Sequence, residues 1–437
     1  MKIAFYLENH AIPDVDLSRP SLGNPGCGGA QYMLAAIPSY LAAAEEKTSC
    51  LPMILANHVH RLPGNVTSLR VSDVVEAASK AKAEGCDIFV YRPRRHLEAE
   101  LLALIDRLEL PTIARFSITP TGPYLRALAS STHVKAVVCV GREQHDLAWD
   151  TPVWSKLTHI TNGFDVDGFR LANPPAKEPG LVVYLGALVP QKGFHLLAKA
   201  WPRVLRRHPE ARLAVIGSGA LYGAADLGPW GVAASDYEAR FAPHLAGPDG
   251  KPHPSVSFLG KLGLEKKEWL HRASVGVPNP SGQTENCPGS AVELQACGTA
   301  VVSVARFGLL DTVCDRETGL LGRGEKDLVN NICALLDDPA RAETLGRNGV
   351  RFVREAFDVG AKNADWHDLF DRMARGARPK PYFLKPNLHR HAKVLILVNR
   401  LFQMTLGRLV DWPSVDGMKS RIATLPGVKG MIALRSR

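Results

Sequence analysis

The sequence predicts an α/β protein with two Rossmann-like domains, each built on a doubly wound parallel sheet. The first observation is size: 437 residues, 46% of them hydrophobic, are enough for two cores of ordinary size. The second is alternation, since short apolar runs alternate with stretches of helical periodicity, a pattern typical of parallel sheets covered on both faces. The third is that this alternation begins twice, at Lys2 and again at Leu181.

The N-terminal half contains the first series of elements. Apolar runs predict strands at residues 2–6, 52–55, 87–91, 112–116 and 135–140. Helical periodicity predicts helices at residues 30–44, 72–83 and 95–108. We assign residues 1–170 to an N-terminal domain, and the polar, proline-rich stretch 171–180 to a linker.

The second series fills residues 181–375, which we assign to a C-terminal domain. Its predicted strands are 182–185, 212–217, 256–260 and 275–277. Its predicted helices are 194–207, 290–297, 345–356 and 365–375. Residues 220–254 are rich in glycine, proline and alanine, and we interpret them as a surface elaboration, with a gate over the site as the alternative. Residues 376–437 form a C-terminal extension.

The most informative segment spans residues 281–300, because it carries two carboxylates across a loop-to-helix junction. Glu285 falls in the loop, and Glu293 falls in the first turns of the predicted helix. Backbone N–H groups near residues 287–290 have no helical acceptor at such a junction, and their partial positive charge suits a phosphate. Acidic residues also stabilise helix starts without any further role, so the two glutamates need support from other motifs.

A second motif follows the strand at 182–185 and consists of a turn at Gly186 and a loop that contains Lys192. In open α/β sheets, ligands bind beyond the carboxyl ends of the strands, so Lys192 lies where a phosphate would bind. Taken alone, Lys192 is better explained as a solvated loop lysine.

Together with residues 26–31 and 161–169, these motifs resemble the retaining glycosyltransferases of the GT-B fold, glycosyltransferase family four (glycosyl transferases group 1). The resemblance extends over about residues 1–375. It implies transfer of a sugar from a UDP- or GDP-type nucleotide-diphosphate sugar to an acceptor hydroxyl, with retention of configuration and with no cofactor. The N-terminal domain would bind the acceptor, which the sequence does not identify, and the C-terminal domain would bind the donor.

The resemblance also implies roles for particular residues. Lys192 would neutralise the donor diphosphate, Glu285 would contact the donor sugar near its reacting carbon, and Glu293 would accept hydrogen bonds from the ribose hydroxyls. Gly28 and Gly29 would let the backbone approach a substrate closely. The other implied donor-binding residues are Gly186, Gly217, Asn286, Cys287, Pro288, Gly289 and Ser290.

Two positions depart from the family pattern. Ala187 stands where many members have an arginine that assists the lysine at the diphosphate, and the candidates to supply that charge are Arg142 and Arg306. No histidine follows the strand at 112–116, where the family often has one, and the candidates to replace it are Arg115, Ser117 and Thr119. Both departures keep open a degenerate, non-catalytic GT-B protein that binds a nucleotide or scaffolds a membrane assembly.

Two other kinds of site are less favoured. A glycosidase that used Glu285 and Glu293 as acid and base would leave Lys192 and the glycine-rich turns unexplained. His58 and His60 share a strand face without a third ligand nearby, and the acid pairs at 14–16 and 165–167 are better explained by turns. We therefore predict no metal requirement.

Positive charge is concentrated at the C-terminal end. Residues 377–437 contain twelve lysines or arginines and two aspartates, so this extension accounts for the whole net charge of +10. Periodicity predicts a helix at 393–410 with Lys393, Arg400 and Arg408 on one face. One interpretation places this helix on an anionic membrane surface, although it is too short and too charged to span a bilayer. The other packs it against the protein with its basic side chains in solvent.

Composition bears on compartment and on partners. The eight cysteines form no Cys-x-x-Cys pair, and Glu8, Asn9 and His10 interrupt the apolar N-terminus. We therefore expect a reduced, cytoplasmic protein, peripheral at the inner face of the membrane under the membrane hypothesis. Nucleic acid is not an expected partner, because no aromatic residues interleave with the basic ones and no binding module is recognised. Family habits suggest synthesis of a cell-surface glycan or glycolipid.

Overall fold

The computed structural model describes residues 1–44, 50–94, 98–118, 121–219, 226–283, 285–385, 390–405, 413–415 and 417–418. The strands of the N-terminal domain are β1 (Lys2–Leu7), β2 (Leu51–Ala56), β3 (Thr67–Arg70), β4 (Ile88–Tyr91), β5 (Thr112–Phe116), β6 (Val134–Cys139) and β7 (Leu157–His159). Its helices are α1 (Gly29–Ala43), α2 (Val74–Ala83), α3 (Ala99–Arg107), α4 (Gly122–Ser130) and α5 (Arg142–Leu147).

The N-terminal sheet has seven parallel strands in the order β3-β2-β1-β4-β5-β6-β7. Ile3 of β1 pairs with Ile88 of β4, and the order of the strands changes direction between these two. The central strands are buried on both faces, as in other parallel sheets covered by helices. The switch between β1 and β4 opens a crevice at the carboxyl ends of the strands, where ligands bind in such sheets.

The C-terminal domain repeats this arrangement on a second sheet. Its strands are β8 (Leu181–Leu185), β9 (Arg212–Ile216), β10 (Val256–Gly260), β11 (Val275–Val277), β12 (Ala300–Val304) and β13 (Gly319–Gly322). Its helices are α6 (Phe194–Arg207), α7 (Ser235–Leu245), α8 (Lys266–Arg272), α9 (Gly289–Ala296), α10 (Leu309–Thr312), α11 (Glu325–Asp337) and α12 (Pro339–Phe357). The six strands are parallel, in the order β10-β9-β8-β11-β12-β13.

The predicted fold class, two doubly wound parallel sheets, is confirmed. The five strands predicted in the N-terminal half lie within one residue of the observed bounds, and β5 has the predicted bounds. Sequence reasoning missed the strands at the two edges of this sheet, β3 and β7. They are short and partly exposed, so they lack the continuous apolar run that marks a buried strand.

The interpretation of residues 220–254 as a surface elaboration is wrong for the part that forms α7. This helix packs on α6, and its side chains Tyr237, Phe241 and Leu245 are buried in the core of the C-terminal domain. The carboxylate of Glu238 is also buried and accepts hydrogen bonds from the backbone N–H groups of Trp230, Val232 and Ala233, at 2.6, 3.1 and 3.3 Å. The glycine-rich stretch before α7 is thus fixed to the core, while residues 220–225 lie outside the described residues.

After α12 the chain returns to the N-terminal domain. The N–H of Phe164 donates to the carbonyl of Phe357 at 2.8 Å, and the N–H of Val359 donates to Phe164 at 3.0 Å. Helix α13 (Val359–Ala374) then packs on the N-terminal sheet, where Trp366 meets Phe5 edge to face with ring centroids 6.3 Å apart. The sequence-based division into domains at residues 170, 180 and 375 stays a prediction. Helix α13, which that division places in the C-terminal domain, contributes to the core of the N-terminal domain.

The C-terminal extension forms helix α14 (Arg390–Thr405), and the predicted residues 406–410 lie outside the described residues. The prediction of a basic outer face is wrong for the two residues that can be tested. Lys393 is 6% exposed, and its ammonium group pairs with Glu143 at 2.6 Å and Asp146 at 2.7 Å. The guanidinium of Arg400 lies over the ring of Trp154, 4.2 Å from its centroid. Buried carboxylates on α5 therefore attract the basic face inward, and Arg408 is not among the described residues.

The outward half of α14 is apolar. Six of its large apolar side chains are between 43% and 57% exposed: Val394, Leu395, Leu397, Val398, Leu401 and Met404. Ile396 and Asn399, on the opposite half, are buried against the N-terminal domain. In the described part of the chain, no helix is both long enough and apolar enough to cross a membrane.

Candidate active site

A cavity of about 840 Å³ lies between the two domains, at the carboxyl ends of both sheets. The N-terminal domain contributes the loop before α1 and the end of β5, and the C-terminal domain contributes the loop after β8 and the loop before α9. All twelve predicted site residues line this cavity, although their individual roles stay predictions. They are Gly28, Gly29, Gly186, Lys192, Gly217, Glu285, Asn286, Cys287, Pro288, Gly289, Ser290 and Glu293.

Lys192 and Glu285 form an ion pair at one wall of the cavity. Glu285 is 7% exposed and also accepts a hydrogen bond from the side-chain amide of Asn279 at 2.9 Å. Gly193 follows Lys192 with φ of +68°, and a Cβ there would lie 2.6 Å from Ser281. The two loops therefore pack closely only because residue 193 has no side chain, and this contact holds the lysine against the carboxylate.

A second ion pair lies deeper in the cavity. Glu293, in the second turn of α9, pairs with Lys266 at 2.7 Å, and their side chains are 6% and 5% exposed. The ammonium group of Lys266 also donates to the carbonyl of Asn24 at 2.9 Å, across the cleft. Glu293 is thus neutralised in a buried position by a lysine that contacts both domains.

The start of α9 faces the cavity. Pro288 precedes the helix, and the N–H of Ala291 is the first to bond back, to the carbonyl of Pro288 at 3.1 Å. The N–H groups of Gly289 and Ser290 come before that bond, so they can donate to a ligand. Burial raises the pKa of the neighbouring Cys287 thiol to about 12, so this cysteine is protonated at neutral pH and is a poor nucleophile.

Glycines keep two parts of the cavity open. Gly217 has φ of +145°, and a Cβ there would lie 1.8 Å from the carbonyl oxygen of Gly186, so both strand ends meet without room for a side chain. Gly29, at the start of α1, has no heavy atom within 4 Å of the position of a Cβ. Its missing side chain leaves space in the cavity for a ligand.

The loop that carries Glu285 also joins the two domains. The side-chain amide of Asn286 donates to the carbonyl of Ser117 at 3.0 Å, and that of Asn162 donates to the carbonyl of Cys287 at 3.4 Å. A Cβ on Gly141 would lie 2.1 Å from the carbonyl oxygen of Asn286. The N-terminal domain therefore touches this loop at three points.

The basic residues that line the cavity differ from those that the sequence suggested. Arg142 and Arg306, proposed to replace the arginine absent at Ala187, do not line it. Arg142 instead pairs with Asp146 at 3.3 Å. The basic residues that do line the cavity are Arg92, Arg115, Lys192, Lys261 and Lys266.

Of these five cations, sequence reasoning missed Arg92, Lys261 and Lys266. Arg92 directly follows β4 and Lys261 directly follows β10, so a charged residue at the carboxyl end of a strand was the available signal. Lys266 lies in α8 and had no such signal. Of the candidates for the absent histidine, Arg115 and Ser117 line the cavity, and Thr119 lies outside the described residues.

No metal cluster is found in the described part of the chain, where no group of three or more His, Cys, Asp or Glu side chains is placed to hold an ion. His58 and His60 lie with their ring centroids 5.8 Å apart, without a third ligand. The absence of a metal requirement stays a prediction.

Two Rossmann-like domains around one cavity define the GT-B class, and solved structures support this assignment. Sucrose-phosphate synthase from Thermosynechococcus elongatus has a TM-score of 0.62 at 19% identity, over 86% of this chain and 100% of that one. HepE from Anabaena, in complex with UDP and glucose, has a TM-score of 0.61 at 16% identity, over 85% of this chain and 99% of that one. The fold is GT-B, as predicted.

The family follows from the sequence of the C-terminal domain. Residues 179–338 match the family described as glycosyl transferases group 1. D-inositol 3-phosphate glycosyltransferase from Kribbella flavida is 33% identical over 216 residues, which are 46% of this chain and 47% of that protein. The chain thus matches about half the length of this relative, and the match confirms the family resemblance drawn from the motifs.

Proposed function

We propose that this protein is a retaining glycosyltransferase that transfers a sugar from a UDP- or GDP-sugar to an acceptor hydroxyl. The observation that carries the proposal is the pair of neutralised carboxylates in the cavity, Glu285 with Lys192 and Glu293 with Lys266, beside the free start of α9. They lie in a domain of the glycosyl transferases group 1 family, and HepE, which shares the fold, is in complex with UDP and glucose.

Each group has a chemical task in this reaction. The donor diphosphate would lie against Lys192 and the N–H groups of Gly289 and Ser290, where cation and helix dipole oppose its negative charge. The carboxylate of Glu293 would accept hydrogen bonds from the two ribose hydroxyls. Glu285 would face the sugar near its reacting carbon.

Charge then develops during the transfer. The sugar ring becomes positive and the departing diphosphate becomes more negative, so Glu285 and Lys192 stabilise opposite ends of the breaking bond. The domains touch at Asn286 and Ser117, and closure of the cavity about this contact would exclude water, which would otherwise hydrolyse the donor. Retention follows from attack on the same face as the leaving phosphate, the course generally ascribed to this family.

Thermal denaturation with nucleotides tests the donor site. We expect UDP or GDP, and their sugar conjugates, to stabilise the wild type by about 2.7 kcal/mol at 100 times the dissociation constant. Lys192→Ala and Glu293→Gln should lose this shift. Glu268→Gln, which removes an exposed carboxylate from α8, is the matched control and should keep it. The donor site is refuted if every nucleotide leaves the wild type unchanged.

Nucleotide release from the bound donor tests catalysis, with water as the fallback acceptor. Glu285→Gln should lower the rate by about 10²–10³, the usual cost of losing one preorganised electrostatic group. A near-normal rate in this variant would remove the role assigned to Glu285. A nucleotide shift without turnover in the wild type would support the alternative, a non-catalytic nucleotide-binding protein, which the alanine at position 187 favours.

The proposal extends to location: a cytoplasmic enzyme of cell-surface glycan or glycolipid synthesis, bound to an anionic membrane through α14. The membrane contact rests on the exposed apolar half of this helix and on the excess of basic residues in 377–437, where ten lysines or arginines besides Lys393 and Arg400 stand against two aspartates. Apolar side chains would enter the interface, and the remaining basic charge would be attracted to anionic headgroups.

Co-sedimentation with phosphatidylglycerol vesicles tests the membrane contact. The variant Leu395→Glu with Leu401→Glu changes two exposed side chains of α14, so folding should be unaffected while vesicle binding is lost. Leu264→Glu, at an exposed leucine outside α14, is the control and should bind normally. Unchanged vesicle binding of the double variant would refute the membrane contact. The contact would also be refuted if the wild type were a dimer and the double variant a monomer, because a second copy of the chain would then cover this face of α14.

A further inference from the structure

Arg115 is a buried cation in the wall of the cavity. It lies in β5, next to the carboxyl end of the strand, and only 1% of its surface is exposed. Burial lowers the pKa of its guanidinium to about 10, so the group still carries its charge at neutral pH. A charge in such a position is expensive unless an opposite charge compensates it.

The described residues do not supply that compensation. Among the residues that the structure describes, the guanidinium donates to neutral oxygens, at Ser117 (3.3 Å) and at the side chain of Asn162, and its Nε–H finds no partner there. Two titratable neighbours affect it: Cys287, whose thiol is protonated at neutral pH and so supplies no negative charge, and Arg92, which has the same sign and is itself held by Glu8 at 3.1 Å. The position is therefore unfavourable in the protein by itself.

The charges around the cavity lead to the same conclusion. Of the described side chains that line it, five are cationic and two are carboxylates, and each carboxylate already has its own lysine. In the proposed function the donor diphosphate lies against Lys192, on the C-terminal domain. Arg115 belongs to the opposite domain, so it is available for a second negatively charged group.

We propose that Arg115 forms an anion-binding subsite that receives a phosphate or carboxylate group of a substrate, on the acceptor side of the cavity. Ser117 and Asn162 orient the guanidinium, and its unpartnered Nε–H provides a donor for the anion. The planar guanidinium favours two-point contact with such groups. This inference deepens the proposed function and rests on it for the nature of the reaction, which therefore involves an anionic substrate in addition to the diphosphate.

Thermal denaturation in inorganic phosphate, compared with chloride at equal ionic strength, tests the subsite directly. Phosphate should raise the melting temperature of the wild type and of Arg126→Met, a control at an exposed arginine of α4, but not that of Arg115→Met. Without phosphate, Arg115→Met should be at least as stable as the wild type, because it removes an uncompensated buried charge. If Arg115 had a purely structural role, Arg115→Met would instead be less stable than the wild type without phosphate.

Activity assays identify the source of the anion. Arg115→Met should weaken the binding of an anionic substrate about 10- to 100-fold, the usual cost of losing a charge-assisted hydrogen bond. A loss seen with inositol 3-phosphate but not with inositol assigns the anion to the acceptor, and a loss seen with UDP-glucuronate but not with UDP-glucose assigns it to the donor sugar. Both results support the subsite.

Two results would overturn it: a phosphate response of Arg115→Met equal to that of the control, or a large drop in its stability without phosphate. UDP should still stabilise Arg115→Met, because Lys192 is intact; loss of that shift would assign Arg115 to the diphosphate and also overturn the proposal. If UDP and GDP fail with the wild type while the phosphate result holds, the proposed function fails and the anion subsite stands.

Discussion

Replacing Lys393 by methionine should destabilise the protein by about 3–5 kcal/mol at pH 7, the usual cost of breaking a buried ion pair from one side. Lys393 makes three contacts, with Glu143 at 2.6 Å, Asp146 at 2.7 Å and the carbonyl of Lys385 at 2.9 Å. The carboxylates of Glu143 and Asp146 are only 4% and 0% exposed, so without the ammonium group neither can turn to water. Methionine keeps most of the unbranched apolar stem of lysine and lacks the ammonium group, which leaves the lost charge as the main change.

The destabilisation should also depend on pH. Burial raises the pKa of Asp146, but hydrogen bonds from His145, Lys393 and Lys385 outweigh it and bring the pKa down to about 2. A lowered carboxyl pKa contributes stability that is present above the ordinary value of 3.8 and is lost as the pH falls through 2. Lys393→Met removes part of this contribution, so the difference from the wild type should narrow as the pH falls from about 4 towards 2.

Urea denaturation followed by far-ultraviolet circular dichroism measures both effects. Lys380→Met, at an exposed lysine of the same extension, is the control and should remain within about 0.5 kcal/mol of the wild type. Adding Glu143→Gln to Lys393→Met should recover part of the loss, because one uncompensated charge is removed. If Lys393→Met is no less stable than the control, the extension is not anchored by this lysine and the assigned orientation of α14 is wrong.

Two further predictions concern the domain contact and the cavity. Asp311 lies at the domain contact, where its carboxylate accepts a hydrogen bond from the backbone N–H of Arg142 at 2.7 Å. Burial raises the pKa of Asp311 to about 6, partly offset by Lys385, so its contribution to stability is full below the ordinary value of 3.8 and is lost as the pH rises through 6. Asp311→Asn should therefore gain up to about 3 kcal/mol relative to the wild type between pH 4 and pH 7 in urea denaturation, and a constant difference would contradict this. Gly217→Ala should lower the melting temperature by several degrees and weaken nucleotide binding, because its Cβ would lie 1.8 Å from the carbonyl oxygen of Gly186. The control is Gly231→Ala, where φ is +70° and the space is open, and it should cost about 1 kcal/mol of stability. Equal losses of stability in the two variants would refute the steric argument.

Much of the fold was predictable because buried parallel strands have a local signature. β5 is buried along its whole length and is apolar apart from Thr112 and Arg115, and its predicted bounds agree with the observed ones. α7 had no such signature, since glycines and prolines surround it and Pro243 lies within it. Its helix is stabilised by the packing of Tyr237 and Phe241 on the domain core, a contact that a local pattern does not contain.

The site was predictable where a motif places its residues next to strand ends, and less so elsewhere. Lys192 and Glu285 were brought together by the family pattern, and the structure pairs them. Lys266 reaches Glu293 only because α8 packs beside α9, which depends on the tertiary fold. Periodicity likewise divided α14 into a basic and an apolar face, but the direction of each was decided by carboxylates on α5, about 250 residues earlier in the chain.

The contact between Asn286 and Ser117 has a mechanical consequence. Asn286, which contacts the N-terminal domain, is the immediate neighbour of Glu285. The segment that would contact the donor sugar therefore also connects the two domains. A shift of this segment would change the sugar contact and the domain contact together, so the two contacts are coupled. Under the proposed function, a substitution at Gly141 or Ser117 of the N-terminal domain is therefore expected to change the donor preference, although neither residue belongs to the C-terminal domain.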